Sequence, residues 1–109
     1  MIALLRLYTV TGLLLAALAL PLYFGKIPPN GLYGFRVRKT MEHPEIWYPV
    51  NKYGARWLFA TGLLTFLAAI GLFFIPGLSL DVYALACLFV FAGIFGVGLV
   101  LTLKFMNTL

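Results

Sequence analysis

Three long apolar blocks, separated by one short and one long polar interruption, organise the chain. Leu7–Gly25, Trp57–Leu80 and Val82–Leu103 contain no charged residue. A helix needs about 20 apolar residues to cross the roughly 30 Å hydrocarbon core of a bilayer. A helix apolar on every face is rare in a small soluble domain. The pattern therefore predicts an all-α integral membrane fold with three transmembrane helices. It forms a single domain over residues 1–109, with spans at about 2–24, 55–75 and 82–103 and a loop over 26–54. Pro76-Gly77 stops the second span, because proline cannot continue a helix and glycine opens a turn. The connection Pro76–Asp81 is so short that spans two and three must be antiparallel neighbours. Asp81 is the expected N-cap of the third span, accepting bonds from free N–H groups at the positive helix end.

The first block has a competing reading. Ala17-Leu18-Ala19 resembles a signal-peptide cleavage site, but the apolar run continues past it through Pro21, Leu22, Tyr23 and Phe24, which favours a retained span. Small residues recur four apart at Gly12 and Ala16, Thr65 and Ala69, and Ala92 and Gly96, with Gly93 and Gly98 also on the third span. Such faces let helix backbones approach closely in lipid. Packing within the chain is the favoured use, and a homo-oligomer is the alternative.

Composition supports the membrane reading. Hydrophobic residues make up 63% of the chain and charged residues 10%, too few to coat a soluble domain. The net charge is +5. Six cations (Lys26, Arg36, Arg38, Lys39, Lys52 and Arg56) share the long loop region with two carboxylates, Glu42 and Glu45. Charge placed directly beside spans speaks for topology and anionic headgroups, not for nucleic acid. The positive-inside rule puts this loop and the C-terminus in the cytoplasm and the N-terminus outside, in a cell (inner or plasma) membrane. Cys87 is the single cysteine, so no internal disulfide forms. Its mid-span position suits a small apolar filler.

The loop concentrates the remaining chemistry. It holds Tyr33, Phe35, Trp47, Tyr48, Tyr53 and the only histidine. Tyrosine and tryptophan favour the membrane–water boundary, so the loop is expected to lie on the bilayer surface. Ile27-Pro28-Pro29-Asn30-Gly31 reads as a rigid turn, and Gly34–Lys39 as extended. Pro44 suits a first helical position, with His43 or Thr40 as its cap. From there Trp47, Asn51, Gly54 and Leu58 share one face, and Glu45, Lys52 and Arg56 another. That spacing predicts an interfacial amphipathic helix in the loop, kinked or delayed at Pro49. Trp47 is expected as an interfacial anchor, with a place in a partner groove as the alternative. Asn51, an amide at the membrane edge, needs partners and pairs with Arg36 in an expected polar lock.

With Asn30, Gly34-Phe35-Arg36, Thr40, Glu45-Ile46-Trp47, Asn51 and Gly54 in this order, the chain resembles the SdpI (YfhL-like) family of small bacterial membrane proteins. The family pattern is N-x-x-x-G-[YF]-R-[TS], a threonine, E-x-W, an Asn or His, and a Gly, followed by two hydrophobic helices. The resemblance covers roughly residues 5–103. The position after Arg36 departs from it, carrying Val37 where a hydroxyl residue is usual. The resemblance implies an immunity protein that protects a cell from a secreted antimicrobial peptide toxin and captures a small transcriptional repressor at the membrane. It marks Asn30, Gly34, Phe35, Arg36, Thr40, Trp47, Asn51 and Gly54 as the partner-binding and structural motif.

Other functions find less support. The alternative is a small transporter or channel subunit acting as an oligomer, yet proton-coupled transport calls for an acid inside the membrane. The three uncharged blocks offer none, and Thr61, Thr65 and Thr102 are a meagre polar lining. A holin-like lysis protein would carry its charge in a free tail. No nucleophile–base pair or phosphate loop indicates an enzyme. Glu42, His43 and Glu45 have metal-ligand chemistry without a metal-site spacing, and helix capping accounts for them. No cofactor is expected.

Overall fold

A computed structural model describes residues 1–109 as four helices and no strand. They are α1 (Ile2–Tyr23), α2 (Arg38–Glu42), α3 (Pro44–Phe73) and α4 (Leu80–Met106). Three of them, α1, α3 and α4, are long and apolar enough to cross a membrane. The molecule measures 51 × 23 × 18 Å. Its length exceeds the roughly 30 Å hydrocarbon core, enough for the long axis to span the bilayer. The chain is a multi-pass membrane protein.

Helix α3 is the axis of the bundle, packed by both α1 and α4. The α1–α3 contact is built on backbone. A Cβ added to Gly12 would meet the Gly62 carbonyl oxygen at 2.5 Å and the Phe66 nitrogen at 2.9 Å, and one added to Gly62 would strike Gly12 and Ala16. The α3–α4 contact uses the same device: a Cβ on Gly98 would fall 2.5 Å from that of Trp57. Tyr53 stacks on Phe105 at 4.5 Å nearer the loop. At the opposite end Ala69, Tyr83 and Cys87 form a small core with Leu4, Leu5 and Tyr8 packed against it. There the Tyr83 hydroxyl donates to the Ala69 carbonyl at 2.7 Å, and that of Tyr8 to Ala84 at 3.1 Å, joining all three spans. Only 19 of 109 residues are buried, so most leucines and phenylalanines face lipid.

Several local expectations change. Pro44–Arg56 is not a separate interfacial helix but the first turns of α3, which runs unbroken through Pro49. The backbone bond lost at Pro49 is tolerated because Ile46, Trp47, Val50 and Asn51 on the neighbouring turns are buried. The segment expected to be extended up to Lys39 is extended only to Val37 and becomes α2 at Arg38. His43 occupies the N-cap position of α3 without a capping side-chain bond. Ser79, not Asp81, caps α4 by accepting from the Val82 N–H at 3.2 Å, and Asp81 lies in the first turn. The turn pivots on Gly77 at φ +78°, a conformation that costs glycine little.

The small-residue faces divide in two. Gly12, Ala16, Thr65, Ala69 and Gly98 are buried between helices, whereas Ala92 and Gly93 face outward and Gly96 has open space around it. The Thr61 and Thr102 hydroxyls turn back onto the carbonyls four residues earlier on their own helices.

Gly62→Ala is expected to cost at least about 2 kcal/mol, because overpacking a tight contact forces the backbones apart. Gly93→Ala should change stability by less than about 0.5 kcal/mol. Reversible unfolding in mixed micelles distinguishes them, and equal values would remove the glycine contact as the basis of the α1–α3 interface.

Candidate functional site

The loop between α1 and α3 folds back over the end of the bundle, and a handful of side chains hold its backbone there. Asn30 organises the first part. Its Nδ2 donates to the carbonyls of Pro28 (2.8 Å) and Tyr33 (2.9 Å), and its Oδ1 accepts from the N–H groups of Leu32 (2.8 Å) and Tyr33 (2.7 Å). Asparagine can fill all four roles because its amide carries two donors and an acceptor oxygen with two lone pairs. Thr40, fully buried, does the same for the second part. Its Oγ1 lies 3.0 Å from the Phe35 carbonyl and 2.9 Å from that of Val37, and it accepts from the Val37 N–H at 3.1 Å.

Two residues of α3 anchor this assembly. Trp47 is fully buried and donates its indole N–H to the Ile27 carbonyl at 2.8 Å. It is therefore an internal strut, not the interfacial anchor expected from its amphipathic ring. Asn51, also buried, accepts the Phe35 N–H through Oδ1 and donates to the Trp47 carbonyl at 2.9 Å. Gly34 sits between the two. Its φ is +118°, and a Cβ there would lie 2.9 Å from both Asn51 Oδ1 and Trp47 Cζ2. A side chain at this position would meet strain and collision together. Phe35 and Val37 pack on Ile46, Val50 and Met106. Lys39 closes the far edge by donating to the Met106 carbonyl at 3.1 Å, a cation at the negative end of α4.

The expected Arg36–Asn51 lock is not the one that forms. Asn51 does close the loop, but its partner is the Phe35 backbone, because a buried N–H must be satisfied locally. The Arg36 side chain is exposed and makes no hydrogen bond or ion pair. Nearby charges pair among themselves. Arg38 Nε is 2.9 Å from Glu42 Oε1, and His43 Nδ1 is 3.4 Å from Glu45 Oε1.

Beneath the loop lies a cavity of about 320 Å³. Its roof is Tyr33, Gly34 and Phe35, and its walls come from all three spans: Leu18 and Leu22 of α1, Asn51 to Thr61 of α3, and Phe95 to Thr102 of α4. The lining is mostly apolar, with Asn51 at the polar end, a composition suited to an apolar ligand with one oriented polar group. Gly54 lines it too, its open side meeting the Thr102 methyl. The motif residues thus converge, Asn30 and Thr40 shaping the roof and Gly34, Phe35, Asn51 and Gly54 lining the space.

Tyr33 and Lys39 had no signal in the motif spacing. The Tyr33 hydroxyl donates to the Leu18 carbonyl of α1, a partner that only the three-dimensional fold brings near. Burial pushes the Tyr33 phenol above its ordinary value near 10. A raised folded value means this tether contributes fully below the unfolded value and is lost as pH rises through the folded one.

Asn51→Ala leaves the Phe35 N–H without its partner, a loss of about 1–3 kcal/mol. Trypsin cleavage at Arg38 and Lys39 should then accelerate at least about tenfold. Arg36→Gln should leave cleavage at those two sites unchanged. Accelerated cleavage in Arg36→Gln, or none in Asn51→Ala, would contradict this assignment of roles.

No curated protein and no solved structure matches the chain. A family model does match, over residues 26–104. The matched segment begins at the loop and takes in α3 and most of α4, leaving out α1, so it is shorter than the resemblance expected over roughly residues 5–103. It nonetheless covers well over half of the chain and every residue of the loop motif, and on that match the chain belongs to the SdpI/YfhL protein family.

Proposed function

We propose that this protein is an immunity-type membrane protein that gives resistance to a secreted antimicrobial peptide by binding it. The reading rests on one observation above all. The loop motif spends its hydrogen bonds on building a roof over an apolar cavity and leaves Arg36 free beside that roof. A membrane-active peptide offers what this arrangement accepts. Once it has inserted across the bilayer, its apolar side chains lie at the depth of the cavity, and a carboxylate at its cytoplasmic end can meet a guanidinium in a two-point contact. Family membership supports the immunity class. The charge asymmetry supports a cytoplasmic loop and an external N-terminus in the cell membrane. In that orientation the exposed face of the same loop is available to a small transcriptional repressor, with Arg36 as the first contact.

The test is survival of a peptide-sensitive bacterium expressing the protein. Wild type is expected to raise survival against a matching peptide at least about tenfold. Arg36→Ala, which keeps the loop folded, should lose most of that gain, since a charged contact contributes about 1.5–3 kcal/mol. Leu99→Trp, which fills the cavity, should also lose it. Equal survival with and without the protein across a panel of membrane-active peptides would overturn the reading.

A further inference from the structure

A second groove lies between α1 and α3, where α1 ends. It has a volume of about 280 Å³ and is walled by Ala19, Leu20, Tyr23, Phe24, Ala55 and Phe59, with Arg56 as its one charged residue. Lys52 stands one helical turn away from Arg56. Both cations flank a single aromatic ring, Lys52 Nζ at 5.1 Å and Arg56 Cζ at 5.7 Å from the centre of Tyr23. Neither has a carboxylate partner. Glu42 pairs with Arg38, Glu45 contacts His43, and Asp81 lies at the opposite end of the bundle. Two like charges four residues apart on a helix repel one another. One aromatic face cannot neutralise both, so an anion placed here gains from both charges and relieves their repulsion.

Position identifies that anion. Arg56 is the last charged residue of α3 before the uncharged stretch that crosses the bilayer. The pair therefore lies at headgroup level, and the groove runs from it into the apolar zone along Leu20 and Phe59. An anionic group joined to a hydrocarbon chain, with the charge outermost, matches this order. Arginine suits the charged part because its planar fork binds phosphate through two hydrogen bonds. From this geometry we infer that Lys52, Arg56 and the Ala19–Phe24 groove form a site for one anionic phospholipid of the surrounding leaflet. The phosphate sits on the two cations and an acyl chain lies against Leu20, Phe24 and Phe59. This site shares only Ala55 with the lining of the roofed cavity and does not depend on the immunity reading.

The full-length protein in phosphatidylcholine vesicles, probed with spin-labelled phosphatidylglycerol or spin-labelled phosphatidylcholine, tests it through the motionally restricted lipid fraction. Phosphatidylglycerol should be preferred. Lys52→Gln and Arg56→Gln should each reduce that preference about fivefold. Arg38→Gln, the same charge change elsewhere on the loop, should reduce it less than about twofold, and Lys52→Arg should retain it, which separates loss of binding from loss of fold. Leu20→Trp, which fills the groove, should lower the restricted fraction. Equal retention of the two lipids, an undiminished preference in the Gln variants, or displacement by soluble glycerol phosphate would each overturn the proposal. The last outcome would mark a free-anion site.

Discussion

Between two leucine-covered helices in a bilayer there is no hydrophobic gain on contact, because lipid tails are as apolar as the side chains they would replace. This constraint governs the whole structure. The three spans can associate only where backbones come close enough for dispersion to accumulate, or where a polar group finds an internal partner. Most of these contacts are made on α3, and one polar bond joins α1 directly to α4. Gly12 meets Gly62, Gly98 meets Trp57, and the Tyr8 and Tyr83 hydroxyls reach carbonyls of neighbouring helices. The low number of buried residues follows directly, since an outward leucine on α1 or α4 has nothing to gain by turning in.

The same constraint acts more severely on the loop. An irregular segment leaning on a bundle end removes its N–H and C=O groups from water without supplying a helix or sheet to pair them. Asn30, Thr40, Trp47 and Asn51 answer that demand, each bonding backbone groups that the loop cannot pair by itself. Gly34 is the steric consequence, because bringing the loop backbone this close to Trp47 and Asn51 leaves no room for a Cβ. The roof and the cavity are thereby one construction. Asn51 holds the roof from below and lines the space beneath it.

The spans were legible because their signal is length and uniform apolarity, which no local detail overrides. The loop motif was legible as a set of residues but not as a set of roles. Trp47 read as an interfacial anchor because amphipathic rings favour that boundary. Its indole N–H instead finds the Ile27 carbonyl, twenty residues away, and pairwise distance of that kind leaves no periodic trace. The polar lock was expected between two side chains, Arg36 and Asn51, whereas the more pressing need was the unpaired N–H of Phe35 next to them. Periodicity placed Trp47, Asn51 and Gly54 on one face correctly. It could not separate an amphipathic helix lying on the membrane from the first turns of a span, since both show the same pattern, and α3 proved continuous from Pro44. Ser79 outcompeted Asp81 as a cap because α4 begins two residues earlier than the charge pattern suggested.

What the structural demand leaves unused is the better guide to binding. Glu45 contacts His43, Phe35 fills a core, and the motif asparagines, threonine and tryptophan are committed to the backbone. Among the motif residues, only Arg36 carries a full set of donors with nothing to donate to. A guanidinium in water costs little to keep free, so the fold exerts no force to pair it. Its place is nonetheless fixed, because it follows Phe35, whose backbone is pinned by Asn51 and Thr40. A flexible charge loses entropy when it binds, whereas one mounted on a braced backbone has lost part of it already. The loop motif therefore does two things with one set of bonds: it closes the cavity, and it holds the one unpaired motif charge at the edge of that closure.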